Sequence, residues 1–112
     1  MARTVIAPEA LDLETRGRRD YYVGLEHPTL WGVYRIPVTV FVGPDAEPGR
    51  GVVAIGSTHG DEYEGPVAIK HLLRDLKEED VRGRIILIPV LNVVAFKAGV
   101  RDTPDDGGRG SE

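Results

Sequence analysis

Gly51-Val-Val-Ala-Ile-Gly-Ser-Thr-His59-Gly60-Asp-Glu62-Tyr-Glu-Gly65 decides how the rest of the chain is read. Val52–Ile55 is an apolar run rich in β-branched residues and too short for a helix, which predicts a buried strand of a parallel sheet. A polar loop with two glycines follows, and then an amphipathic pattern that starts at Pro66. This order places His59 and Glu62 just past the carboxyl end of a strand, where open α/β sheets bind their ligands. An imidazole and a carboxylate three residues apart reach one cation if the loop turns sharply between them, and Gly60 permits such a turn. One nitrogen and one oxygen ligand suit Zn2+ better than Ca2+ or Mg2+. Spacing alone leaves a second reading open, in which His59 is an ordinary loop histidine and Glu62 a carboxylate answering the helix macrodipole.

Outward from this stretch the periodicities are consistent with an α/β fold. Ile36, Val38, Val40 and Val42 alternate with Arg35, Pro37, Thr39 and Phe41, the pattern of a half-covered strand. Pro37 cannot donate to a ladder, so that strand lies at an edge or is unpaired at that residue. Residues 43–49 carry two Gly and two Pro and form a turn. On the other side, residues 66–77 read as a helix with Pro66 in its first turn. Ile69, Leu72, Leu73 and Leu76 form its buried stripe, and His71 falls on the solvated face. Residues 85–88 read as a second buried strand, which gives a right-handed βαβ unit and brings Asn92 to the same rim as His59 and Glu62. Earlier in the chain, residues 4–7 read as a strand fragment and 21–25 as a strand, with Arg16, Arg18 and Arg19 in a solvated turn between them. His27 reads as a loop histidine beside Pro28, and Trp31 as a loop anchor. Residues 105–112 contain no apolar side chain and are expected to form a mobile tail.

At 112 residues and 41% hydrophobic content the chain has room for one domain with a modest core. Fourteen basic against eighteen acidic residues give a formal charge of -4, which offers no electrostatic case for nucleic acid. No run approaches a membrane span and no signal peptide is evident at the amino end, so a cytoplasmic protein is expected. The absence of cysteine excludes disulfides and thiolate ligands.

Two segments carry a family resemblance. Gly56-Ser-Thr-His59-Gly60-Asp61-Glu62-Tyr63-Glu64-Gly65 resembles the zinc signature of the succinylglutamate desuccinylase and aspartoacylase family, a branch of the zinc-carboxypeptidase-like hydrolases. Pro89-Val-Leu-Asn92-Val-Val-Ala95, followed by Arg101-Asp-Thr-Pro104-Asp-Asp106-Gly107, resembles a second motif of the same family, in the right order. The resemblance runs from about Gly51 to Gly107. It implies an α/β/α fold of that type, present here in part, with a mixed and largely parallel sheet; residues 1–104 are the partial catalytic domain. It further implies a zinc-dependent hydrolase that cleaves the amide bond of an N-acyl amino acid or similar small molecule. His59 and Glu62 are then zinc ligands and Arg101 the cation for the substrate carbonyl or oxyanion. Asn92 and Asp106 match positions that support the site.

The sequence also departs from that pattern. The family's Leu-Asn-Arg segment, which holds a substrate carboxylate, has no clear counterpart; Arg109 matches its arginine only in a register that displaces Pro104 and Asp106. By resemblance, the third zinc ligand and the general-base glutamate would come from sequence beyond residue 112. An alternative is therefore a catalytically incompetent domain with partial metal binding, and a further one is a peptide-cleaving zinc carboxypeptidase, whose spacing His59 and Glu62 share. Two covered strands with a single amphipathic helix also predict self-association or a partner chain.

Overall fold

A computed structural model describes residues 3–26 and 32–103. The readings of His27, Trp31, Pro104, Asp106, Arg109 and the 105–112 tail fall outside those residues. Five strands, β1 (Thr4–Ile6), β2 (Gly17–Glu26), β3 (Val33–Val42), β4 (Val52–Ile55) and β5 (Arg84–Ile88), form one sheet in the order β1-β2-β3-β5-β4. The helices are α1 (Glu64–Asp75) and α2 (Val93–Ala98). Pairing is parallel at the two flanks, between β1 and β2 and between β4 and β5, and antiparallel in the middle. The fold is thus mixed α/β, with β4, α1 and β5 as its βαβ unit.

β3 is central, and its alternation holds: Ile36, Val38, Val40 and Val42 are buried together with Val23 on one face. The other face is covered as well, because Phe41 joins Ile69 of α1, Val81 and Leu87, and Thr39 is fully buried. β3 is therefore covered on both faces in its second half rather than half-covered. Pro37 is tolerated because β5 pairs only with Thr39 to Val42, so at Pro37 the ladder to β5 has ended.

Three further expectations are corrected. β4 is an edge strand among the described residues, and Val52, Val53 and Ile55 are 63%, 53% and 49% exposed instead of buried. α1 runs over 64–75, and Leu72 of its expected stripe is exposed, because the helix packs on Phe41, Val81 and Leu87 through Ile69 and Leu73. Of the arginine cluster only Arg16 lies in an exposed bend: Gly17, Arg18 and Arg19 begin β2, where the Arg18 guanidinium lies over the Phe41 ring and donates to Leu73 O at 2.8 Å. The second face of the sheet is covered by irregular chain and the start of α2, with Leu11, Leu13, Leu91 and Val93 packed on the β3 core. Buried Arg84 fastens that layer by donating to the carbonyls of Leu13 at 2.6 Å and Glu47 at 2.7 Å, and to that of Arg50.

Candidate active site

β4 and β5 leave the sheet side by side. Gly56 N donates to Ile88 O at 2.8 Å, Leu91 N to Gly56 O at 2.9 Å, and Asn92 N to Ser57 O at 3.0 Å. Both loops are thereby held together at the carboxyl ends of the parallel pair, the rim where ligands bind in such sheets. Gly56 has no room for a side chain: a Cβ there would stand 2.8 Å from the Gly65 carbonyl carbon and from Pro66 N, so the glycines at both ends of the loop let it fold back on the start of α1. Buried Ser57 takes a left-handed conformation at φ 52°, and its hydroxyl donates to His59 O at 3.0 Å. Glu62 N donates to the same carbonyl at 3.2 Å and closes a turn that sets Glu62 beside His59.

Gly60 serves a purpose that differs from the expected one. Its backbone does not need a positive φ. What it needs is closeness: a Cβ on Gly60 would overlap the Ala95 carbonyl and Val100 O. Gly60 N donates to Arg101 O at 3.1 Å, which ties the loop to the segment after α2.

That segment is placed by α2, which the apolar run 93–95 concealed. Asn92 caps the helix by accepting from Ala95 N at 3.1 Å, and Gly99, at φ 68°, ends it by turning the chain back. Val100 N bonds to Ala95 O at 3.0 Å in that turn. Asn92 Nδ2 also donates to Thr103 Oγ1 at 2.9 Å, so Asn92 brackets Arg101 from the far side. Tyr63 and Phe96 meet edge to face with centroids 5.8 Å apart, a second link between the loop and α2. An asparagine followed seven residues later by a glycine is the cap signal from which α2 could have been read.

At the centre His59, Glu62 and Arg101 come together. Arg101 Nη2 lies 3.1 Å from His59 Nε2 and Nη1 donates to Glu62 Oε1 at 3.4 Å. Imidazole and carboxylate thus meet on one cation. The carboxylate and the guanidinium are more than half exposed, whereas His59 Nδ1 is buried with no hydrogen-bond partner. His71 lies on the exposed side of α1 against Arg74, away from this group. Among the described residues no three His, Asp or Glu side chains cluster as a metal site would require. Beside the loop, a groove of about 310 Å³ is lined chiefly by apolar side chains, with Thr58, Asn92 and Thr103 at its polar positions. A larger cavity of about 490 Å³ opens at the opposite end of the strands, near Val42 and Glu78, and shares no residue with the site.

Residues 48–107, just over half of the chain, match the succinylglutamate desuccinylase/aspartoacylase catalytic domain. The chain belongs to that family. Over 80 residues it is 46% identical to N-alpha-acetyl-L-2,4-diaminobutyric acid deacetylase from Halomonas elongata, a match that covers 70% of this chain and 22% of the relative. Among solved structures, the product-bound ectoine utilization protein EutE (DoeB) from Ruegeria pomeroyi superposes with a TM-score of 0.76 at 38% identity. The succinylglutamate desuccinylase/aspartoacylase from Rhodobacter sphaeroides does so with 0.74, also at 38% identity. Each of these two matches covers 88% of this chain and 30% of the other. This member of the family thus spans under a third of the length of the relatives it matches.

Proposed function

We propose that this chain carries part of the active site of a zinc-dependent deacylase acting on a short N-acyl amino acid, with His59 and Glu62 as metal ligands and Arg101 as the cation that holds the substrate carbonyl. The observation that carries the reading is the convergence of one imidazole and one carboxylate on a single cation at the carboxyl rim of the βαβ unit. The donor set suits zinc, and the buried, unpartnered Nδ1 of His59 is a ring nitrogen in want of a ligand. When bound, zinc supplies Lewis-acid polarisation of the amide carbonyl and acidifies a water molecule. Arg101, bracketed by Gly60 and Asn92, presents a guanidinium to the oxygen on which negative charge develops. The groove beside Thr58, lined chiefly by apolar side chains, suits the apolar part of a small substrate. The relative that removes acetyl from N-alpha-acetyl-L-2,4-diaminobutyric acid supports that substrate class.

A specific observation favours a second reading. The described residues supply two ligands where catalytic zinc usually has three, which suits a domain that binds metal weakly and does not turn over. Calorimetric zinc titration and an acetate-release assay on N-acetyl-L-2,4-diaminobutyrate, with and without chelator, separate the two. Under the first reading zinc binds, His59→Ala and Glu62→Ala each weaken it by about tenfold or more while His71→Ala leaves it unchanged, and acetate release is chelator-sensitive. Binding without acetate release establishes the second reading; equal losses in all three variants would overturn the ligand assignment.

A further inference from the structure

We propose that Ser57 is the positioning residue of this site: its left-handed backbone and its hydroxyl together lock the His59–Glu62 turn to the segment that carries Arg101, at a cost in stability. The inference rests on the reading of His59 and Glu62 as metal ligands. Among the described residues Ser57 is the one non-glycine with a positive φ, at 52°, and it is buried just past the end of β4. In an extended strand successive carbonyls point to opposite sides. Here the carbonyls of Gly56 and Ser57 are both held by the β5–α2 connection, from Leu91 N at 2.9 Å and Asn92 N at 3.0 Å. The left-handed turn at Ser57 brings the two to the same side.

A glycine would adopt that conformation without strain, whereas serine is held there against its own preference. Strained residues of this kind persist where their surroundings fix them, and they gather at functional sites. What serine adds is its hydroxyl, which donates to His59 O at 3.0 Å, the carbonyl that also accepts from Glu62 N at 3.2 Å. Both ligand candidates are therefore set by one carbonyl, and Ser57 holds it. Through its own carbonyl the same residue is tied to Asn92, whose side chain is bonded to Thr103 beyond Arg101. Ser57 thus acts through the main chain of its neighbours and sets how the imidazole and the carboxylate stand to the guanidinium.

Ser57→Gly and Ser57→Ala in the intact chain separate positioning from stability. Both lose the hydroxyl, but only glycine relieves the strained backbone, so Ser57→Gly should melt a few degrees above Ser57→Ala. Zinc affinity should not follow that order. It is expected to fall by about tenfold in both variants, the loss typical of removing a group that orients a metal ligand. In chelator-treated protein the Glu62 amide should exchange with solvent several-fold faster in both, while the Gly56 amide, bonded to Ile88 O, keeps its rate in Ser57→Gly. Zinc binding that survives in Ser57→Gly and is lost only in Ser57→Ala, or a Glu62 amide that exchanges at the wild-type rate in both, overturns the proposal. So does a Ser57→Gly variant that melts below Ser57→Ala, since the backbone would then carry no strain. If the wild type binds no zinc, or His59→Ala binds it as tightly, the ligand assignment falls, and the Glu62 amide decides by itself whether Ser57 holds the turn.

Discussion

Asp20 accepts a hydrogen bond from Thr39 Oγ1 at 2.6 Å and two from Arg18 at 3.2 Å, with its side chain only 6% exposed. Burial opposes its ionisation, but the Thr39 hydroxyl and the Arg18 guanidinium outweigh it and hold the carboxyl below the usual range. A carboxyl depressed in the folded state stabilises the fold above its unfolded pKa of about 3.9, and that contribution is lost as pH falls through the folded value. Asp20→Asn should therefore cost about 2 kcal/mol at pH 7 in urea unfolding, with the difference from wild type narrowing below about pH 4. A difference that does not change with pH would show that the charge of Asp20 is idle. At this scale the sequence was legible only in part. His59, Glu62 and Arg101 could be picked out by their motifs, yet nothing in the order of residues says that Arg18 stands opposite Phe41 and reaches Leu73 O, because the first contact depends on the β2–β3 register and the second on how α1 packs.

Elements with a strong period were legible, as were β4 and β5 from their unbroken apolar runs. The alternation of β3 and the apolar stripe of α1 each announce a buried face, and both faces exist. Six-residue α2 has too few turns to display a helical period, and the exposure of β4 depends on its place in the strand order, which no local pattern encodes. Gly60 shows the same limit, since its necessity comes from α2 pressing on the loop. Gly60→Ala should destabilise the protein by about 2–4 kcal/mol, because the methyl meets backbone atoms that cannot rotate away. Thermal or urea unfolding measures it, and a change within about 0.5 kcal/mol would mean that the loop and α2 are free to separate.

For the molecule as a whole, the open flank of the sheet is the dominant feature. β4 presents an unpaired backbone edge among the described residues, with Val52, Val53 and Ile55 exposed on its two faces and Val67 and Leu72 exposed on α1. Edges of that kind template pairing with another strand. We expect self-association through β4 at tens of micromolar, roughly, and expect Val53→Lys to reduce it, since a charge on an edge strand discourages pairing. Sedimentation velocity across a concentration series decides the matter, and a wild type that stays monomeric removes the argument. The expectation of a missing layer held only in part: Leu11 and Leu13 cover the second face over β3, whereas nothing among the described residues covers β4 in the same way.

The sheet order also has a consequence in time. β2 and β3 follow one another in the chain and share a ten-residue antiparallel ladder, while β3 must wait for β5 across the whole β4-α1 crossover, with Val42 meeting Arg84. Closing the short connection costs far less entropy than closing the long one, so the ladder is expected in the folding transition state and the crossover after it. Val38→Ala, inside the ladder, should then mainly slow refolding, whereas Ile69→Ala, on α1, should mainly speed unfolding. Stopped-flow chevrons that show the reverse would mean that the βαβ unit carrying His59 and Glu62 assembles before the hairpin it rests on.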